Sequence, residues 1–251
     1  MLRYPGGKSR AVNKLDYVIT EEKINVDCVY SPFYGGGSFE LFLRDKYGSD
    51  IVANDAFAPL ISFWSELKAD PVRLTAATQK LKPMTKAQFT ALQGQLLTLD
   101  QTDQAAAFFA LNRSSFNGGV LSSGYSAEAE KKRFTQSSID RLSTFNSDKI
   151  TYTCSDFADF IDTVPDGEFM FLDPPYLIDS HLYGSRGDLH RDFDHQLLAN
   201  KLRKRRNWLL CYNNTTEILD MYQDEDIGVY ETSWAYGMSR VSGAELVLFK
   251  R

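Results

Sequence analysis

A chain of 251 residues, 43% hydrophobic and 24% charged, is long enough to bury a full core, as one α/β domain or as a domain carrying an insertion. It holds no apolar run of the roughly 18 residues that cross a bilayer, and its start, Met1-Leu2-Arg3-Tyr4-Pro5-Gly6-Gly7, lacks the apolar stretch of a secretory signal, so a cytoplasmic protein without a membrane partner is expected. A formal net charge of -5 speaks against a uniformly basic, phosphate-binding surface but leaves a local basic face open.

In chain order, Lys8-Ser9-Arg10 comes first, a short basic group that by itself reads as solvated. Asp27-Cys28-Val29-Tyr30-Ser31-Pro32-Phe33 reads as a strand stopping at proline, and helical character resumes at Phe39-Glu40-Leu41-Phe42-Leu43 after a glycine run. A second strand, Ile51-Val52-Ala53-Asn54-Asp55, ends on an acid, which completes the opening of a Rossmann-like unit. From Pro59 to about Phe109 the apolar spacing is helical and offers no strand. Residues 112–119 and 122–126 then form a polar, glycine-rich loop or small hairpin, followed by Lys131-Lys132-Arg133. Buried-strand runs return at 150–154, 168–173 and 207–212, the last preceded by the basic run Lys201-Leu202-Arg203-Lys204-Arg205-Arg206, and 229–232 with 245–249 suggest a terminal hairpin. The expected layout is an α/β, Rossmann-like catalytic domain in two parts, 1–56 and 136–251, interrupted by a mainly helical insertion at 57–135.

Cys28, Cys154 and Cys211 are odd in number, widely spaced and free of Cys-x-x-Cys pairing, which argues against a disulfide framework or zinc site and makes them reduced, buried, small residues. His181, His190 and His195 lack ligand spacing, so no metal is expected.

Two constellations carry chemistry. Phe33-Tyr34-Gly35-Gly36-Gly37-Ser38-Phe39 lies between a strand and a helix, with Asp55 at the next strand tip. Glycines there let a ligand approach the main chain, and the acid suits ribose hydroxyls, which is a nucleoside-cofactor pattern. The run matches neither Gly-x-Gly-x-x-Gly nor a phosphate loop, which disfavours a dehydrogenase or an ATPase. The second, Asp173-Pro174-Pro175-Tyr176, follows an apolar strand and forms a stiff ledge of acceptors beside a stacking ring. A base amino group needs such a ledge: the Asp173 carboxylate and Pro174 carbonyl accept its N–H groups and favour a nitrogen able to attack a methyl sulfonium, while Tyr176 stacks on the extruded base.

Together with Tyr4-Pro5-Gly6-Gly7-Lys8, Asn54-Asp55, Asn112-Arg113 through Phe116-Asn117-Gly118, and Ser155-Asp156-Phe157, these motifs run in one order over nearly the whole chain, and the sequence resembles the Dam-type, D12-class family of adenine-N6 DNA methyltransferases. The resemblance implies S-adenosylmethionine as cofactor, with S-adenosylhomocysteine as product and no metal. It places Tyr4 and Lys8 at the cofactor pocket, the loop with Phe33, Gly35, Gly37, Ser38 and Phe39 around the methionine portion, Asp55 on the ribose, and Asp156 and Phe157 on the adenine, with Asp173 bordering both ligands. It also implies that the insertion reads double-stranded DNA. There Arg113 suits a phosphate or guanine edge, Asn117 a base edge and Phe116 a wedge, with Ser114, Lys132 and Arg133 beside them.

Members that read GATC tend to carry a basic residue shortly after the Asn-Gly pair, where this chain has Val120, Leu121 and Ser122, so a different recognition sequence is expected. Cytosine N4, RNA, or a catalytically silent nucleic-acid binder are the competing readings. Cytosine C5 chemistry is disfavoured because none of the cysteines follows a proline. A monomer or weak dimer, with a companion restriction endonuclease in reserve, completes the expectation.

Overall fold

The computed structural model describes residues 2, 7–177, 193–235 and 242–251. Tyr4, His181 and His190 lie outside the described residues. The chain forms two compact units, one comprising Gly6–Ala56 with Lys149–Arg251, the other chiefly Phe57–Asp148.

Short apolar runs build the sheet of the first unit: Cys28–Ser31 (β1), Asp50–Asn54 (β2), Ile150–Thr153 (β3), Phe169–Leu172 (β4), Trp208–Asn213 (β5), Gly228–Ala235 (β6) and Ser242–Lys250 (β7). Among the described residues their order is β3-β2-β1-β4-β5-β7-β6. The first five run parallel, and β7 runs antiparallel between β5 and β6. β4 is buried at every position, as a strand covered on both faces must be. The terminal hairpin therefore forms, with Val229 opposite Leu248 and Thr232 opposite Glu245.

The chain begins at β1, moves outward through β2 and β3, then restarts on the other side of β1 with β4. The carboxyl ends of β1 and β4 thus flank the switch point, where doubly wound sheets open a ligand crevice. Helices α1 (Val12–Glu21) and α2 (Ser38–Tyr47) come from the first part of the chain. On one face of the sheet Phe39 of α2 packs on Phe171 with ring centroids 4.7 Å apart.

The second unit holds α3 (Ala58–Ala69), α4 (Pro71–Gln79), α5 (Lys86–Gln95), α6 (Gln101–Ser114), α7 (Ala127–Arg133) and α8 (Gln136–Ser143). Side-chain caps start most of these helices: Asp70, Thr85, Asp100, Ser126 and Thr135 each accept a first-turn N–H. α6 is buried from Gln104 to Asn112 and is the helix around which the unit packs, Phe109 stacking on Phe63 at 5.6 Å. Because α8 packs on α4, this unit runs to Asp148, beyond residue 135 where the sequence suggests a return to the sheet.

The other face of the sheet carries α9 (Phe157–Thr163), α10 (His195–Arg203) and α11 (Thr216–Met221), whose Phe160, Ile161, Leu198, Leu202 and Ile218 share a core with Met170, Leu172, Trp208, Leu210 and Tyr212. Burying each such large side chain contributes about 1.5–3 kcal/mol.

Two expectations are corrected. Lys8 is not solvated but 3% exposed. Cys154 is exposed and Cys28 half-buried, and of the three cysteines only Cys211 is buried. Within the basic run from Lys201, Lys201 pairs with Asp162 at 2.5 Å, Arg203 with Asp224 at 3.2 Å and Arg205 with Asp166 at 3.0 Å, all inside the same unit.

Candidate active site

β1 ends at Ser31, and the glycine turn after it is shaped by backbone hydrogen bonds: Tyr34 N–H donates to the Asn54 carbonyl at 2.8 Å, and Gly37 N–H to the Tyr34 carbonyl at 2.8 Å. Gly37 has φ +62°, and a Cβ there would meet the Tyr34 ring at 2.4 Å, so only glycine fits above that buried phenol. Ser38 and Phe39 open α2 directly beyond the turn, Phe39 fully buried in the core.

Asp55, just past β2, accepts the Gly35 N–H at 3.0 Å, which joins the acid to the turn. Asn54, fully buried, ties three strand ends together. Its Nδ2 donates to the Pro32 and Ser155 carbonyls at 3.2 and 3.0 Å, and its Oδ1 accepts from Ser155 N–H, Ser155 Oγ and Thr153 Oγ1 at 3.0, 3.0 and 3.1 Å.

After β3, Asp156 caps α9 by accepting the Ala158 N–H at 2.8 Å. The Phe157 ring lies 5.5 Å from Phe33 and 4.9 Å from Phe193, giving an aromatic group beside that cap.

Asp173 leaves the carboxyl end of β4, next to the end of β1. Its carboxylate is paired with Lys8 at 2.5 Å, across 165 residues of sequence. Burial pushes the Asp173 carboxyl up, against the opposing pull of Lys8. Burial also draws the Lys8 ammonium down, but Asp173, with smaller contributions from neighbouring acidic groups, more than restores it, so it stays charged. The ammonium lies 5.1 Å from the centre of the Tyr176 ring, which in turn lies 5.9 Å from Tyr212. Pro174 and Pro175 stiffen the link between acid and ring.

Sequence reasoning passed over two further carboxyl groups. Glu40, in the first turn of α2, is 2% exposed and accepts from Ser31 Oγ at 2.6 Å, and burial raises it to about 7. Glu245 of β7 is 1% exposed, and burial raises it to about 7 against Tyr176 and Lys8. An acid inside an apolar stretch, as in Ser31-Pro32 through Phe39-Glu40-Leu41 or Glu245-Leu246-Val247-Leu248, is the signal that was available.

In the helical unit, residues 115–125 fold back through an antiparallel bridge between Ser115 and Tyr125. Gln93 of α5, also missed, donates to the Val120 and Ser123 carbonyls at 2.8 and 2.9 Å, and Asn112 donates to the Gly118 carbonyl at 2.9 Å. Next to this bridge Phe116 is 65% exposed and Asn117 has φ 59°. Arg113 is turned inward, donating Nε to the Arg133 carbonyl at 2.8 Å, and Ser114 is fully buried, while Lys132 is exposed and pairs with Glu128 at 2.7 Å. Among the described residues no group of three or more His, Cys, Asp or Glu is arranged to hold a metal ion, and no helix is long and apolar enough to cross a membrane.

A doubly wound sheet with a reversed penultimate strand position, a glycine turn and a prolyl acidic ledge flanking its switch point is an α/β architecture consistent with the Rossmann-like fold of S-adenosylmethionine-dependent methyltransferases. The chain belongs to the D12 class N6 adenine-specific DNA methyltransferase family, which matches it over residues 4–238. It is 24% identical over 249 residues to the DNA N-6-adenine-methyltransferase of Escherichia phage P1, covering 91% of this chain and 32% of that protein. It is also similar to the Type II methyltransferase M1.LlaDCHI of Lactococcus lactis subsp. cremoris, at 23% identity over 77% of this chain and 71% of the relative. The Type II methyltransferase M.MjaIII of Methanocaldococcus jannaschii is 23% identical, over 70% of this chain and 68% of the relative. The chain thus spans about a third of the phage protein and about 70% of the other two.

Proposed function

We propose that the chain methylates the N6 amino group of adenine within a short double-stranded DNA sequence, by direct transfer to a base turned out of the duplex. The observation that carries this is the Asp173 carboxylate, fixed by Lys8 at 2.5 Å beside the ends of β1 and β4.

The residues suit S-adenosylmethionine by the chemistry of their side chains: Asp55 at the glycine turn for ribose hydroxyls, the Phe33 and Phe157 rings for an adenine face, and Asp156 for its amino group. Gly35, Gly37, Ser38 and Phe39 shape the same turn, Lys8 adjoins it through Asp173 in the family's pattern, and Tyr4 belongs to this set by resemblance. When bound, the cofactor supplies an electrophilic methyl group on a sulfonium. Asp173 and the Pro174 carbonyl accept the target N–H groups and direct the nitrogen lone pair. Tyr176 stacks on the extruded base, and Pro174-Pro175 keep acceptor and ring in register. The exposed Phe116 fills the gap left in the duplex, Asn117 reads a base edge, and Lys132 with Arg133 contact phosphates.

Incubation with labelled S-adenosylmethionine and unmethylated genomic DNA, followed by nucleoside mass spectrometry, tests this. N6-methyladenine at a defined motif is the expected result, and N4-methylcytosine or no transfer refutes it. Asp173→Ala is expected to reduce transfer at least about a hundredfold, the scale of a lost transition-state contact, while cofactor affinity stays within a few fold.

A further inference from the structure

His195 is the one histidine among the described residues, and the chemistry above gives it no part. It opens α10 directly after Asp194, whose side chain caps that helix by accepting the Leu197 N–H at 2.8 Å, so the helix start fixes its backbone. Its ring Nδ1 shares a hydrogen bond of 2.5 Å with the hydroxyl of Tyr212, a fully buried residue near the end of β5. A phenol enclosed in an apolar core needs a partner for its hydroxyl, and here a different element supplies it.

From this bond the two rings lead in opposite directions. The Tyr212 ring centre lies 5.9 Å from that of Tyr176, the ring assigned to the target base. His195 meets Phe193 edge-on at 4.9 Å, and Phe193 lies 4.9 Å from Phe157 and 5.5 Å from Phe33, the rings assigned to the cofactor's adenine. One hydrogen bond thus closes an aromatic chain that runs from the cofactor side of the site to the target side. Packing alone does not call for it, because two phenylalanines of similar shape would fill the same space without burying a polar pair.

We propose that His195 is a positioning residue for methyl transfer: its bond to the Tyr212 hydroxyl holds the ring on which Tyr176 rests in the orientation that receives the target base. This rests on the reading of function given above.

Methyl transfer by the wild-type chain is measured first, then His195→Phe, His195→Asn, Tyr212→Phe and the double variant His195→Phe with Tyr212→Phe, for kcat, DNA KM, cofactor affinity and Tm. His195→Phe and Tyr212→Phe are each expected to lower kcat about ten- to a hundredfold, the scale of a slightly misplaced reacting group. Cofactor affinity stays within a few fold, because a phenyl ring at 195 keeps its contact with Phe193. His195→Asn, which retains a hydrogen-bonding atom at the δ position, recovers most of the kcat. In the double variant Tm returns close to that of the wild type, since neither polar group is left unpaired, while kcat stays as low as in the single variants. The fluorescence of 2-aminopurine at the target position, which reports stacking, shifts in both single phenylalanine variants and not in His195→Asn. A kcat that recovers together with Tm in the double variant, a His195→Asn as impaired as His195→Phe, or a Tyr212→Phe with unchanged kcat and fluorescence overturns the proposal. If a single phenylalanine variant does not fold, the double variant and His195→Asn decide by the same rule. A wild type without methyl transfer refutes the functional reading itself, whereas an active wild type whose variants lose kcat only in step with Tm refutes the positioning role alone.

Discussion

Lys8 and Asp173 each lower the other's burden of burial, and this mutual dependence gives the site a pH signature. Lys8 pulls the Asp173 carboxyl down against burial, so removing the ammonium lets it rise. Lys8→Gln is therefore expected to move the acid limb of the kcat profile to higher pH, as measured by methyl incorporation across pH 5 to 9, and an unmoved limb would separate Lys8 from the ionisation of Asp173. Glu40 makes a different contribution. Its carboxyl rises from 4.5 to about 7 on folding, so the native state holds its proton more tightly than the unfolded chain. The stability it contributes is complete below pH 4.5 and is lost as pH rises towards 7, by on the order of 1 kcal/mol per pH unit. Urea unfolding at pH 5 and 7.5 should accordingly show a smaller fall for Glu40→Gln than for the wild type, the residual fall belonging to groups such as Glu245, raised in the same direction. Asp173 was legible because an acid, two prolines and an aromatic ring after an apolar strand have few other uses. Lys8 read as solvated because its partner lies 165 residues away, and local sequence carries charge but not its distant counterpart.

Strand-plus-turn patterns were easy to read at the scale of the element, since their periodicity and punctuation are local. The glycine turn is an example, and Gly37→Ala tests its geometry: left-handed backbone costs a non-glycine residue roughly 1–2 kcal/mol, and the new Cβ would also strike the Tyr34 ring at 2.4 Å. Weakened cofactor binding together with a lower Tm is the expected outcome, read by calorimetry and thermal unfolding. The hairpin of residues 115–125 was visible only as a polar, glycine-rich loop. Part of what holds it is Gln93, whose acceptors Val120 and Ser123 lie 27 and 30 residues on, too far for any pattern of spacing to reveal. Gln93→Leu leaves those carbonyls without that donor, so DNA affinity should fall and sequence discrimination relax while cofactor affinity holds, as measured by binding to matched and mismatched duplexes.

For the whole molecule, a net charge of -5 makes the distribution of basic residues more informative than their number. Acids within the sheet unit answer Lys201, Arg203 and Arg205, whereas Lys132, exposed on α7, pairs with Glu128 one turn away on the same helix. Replacing Lys132 with Gln should reduce the slope of log affinity against log salt by about one, and Lys201→Gln should leave it unchanged. A slope lowered by Lys201→Gln and not by Lys132→Gln would place the duplex on the sheet unit's basic run instead. The alternation of strands with helices, broken by a long helical stretch, made both units legible. The position of β7 between β5 and β6 was not, because strand order is a long-range property that composition and periodicity do not encode.

The buried amide of Asn54 bears on how this scaffold can be altered. It uses both faces of its carboxamide on segments that follow β1 and β3 while itself ending β2, so neither leucine nor aspartate can supply the same mixture of donors and acceptors. The three loops at these strand ends are consequently inherited as a set: a glycine turn transplanted from a distant homologue has to arrive with matching partners at Pro32, Asn54 and Ser155, and chimeras cut between them should lose this arrangement even where every strand is retained.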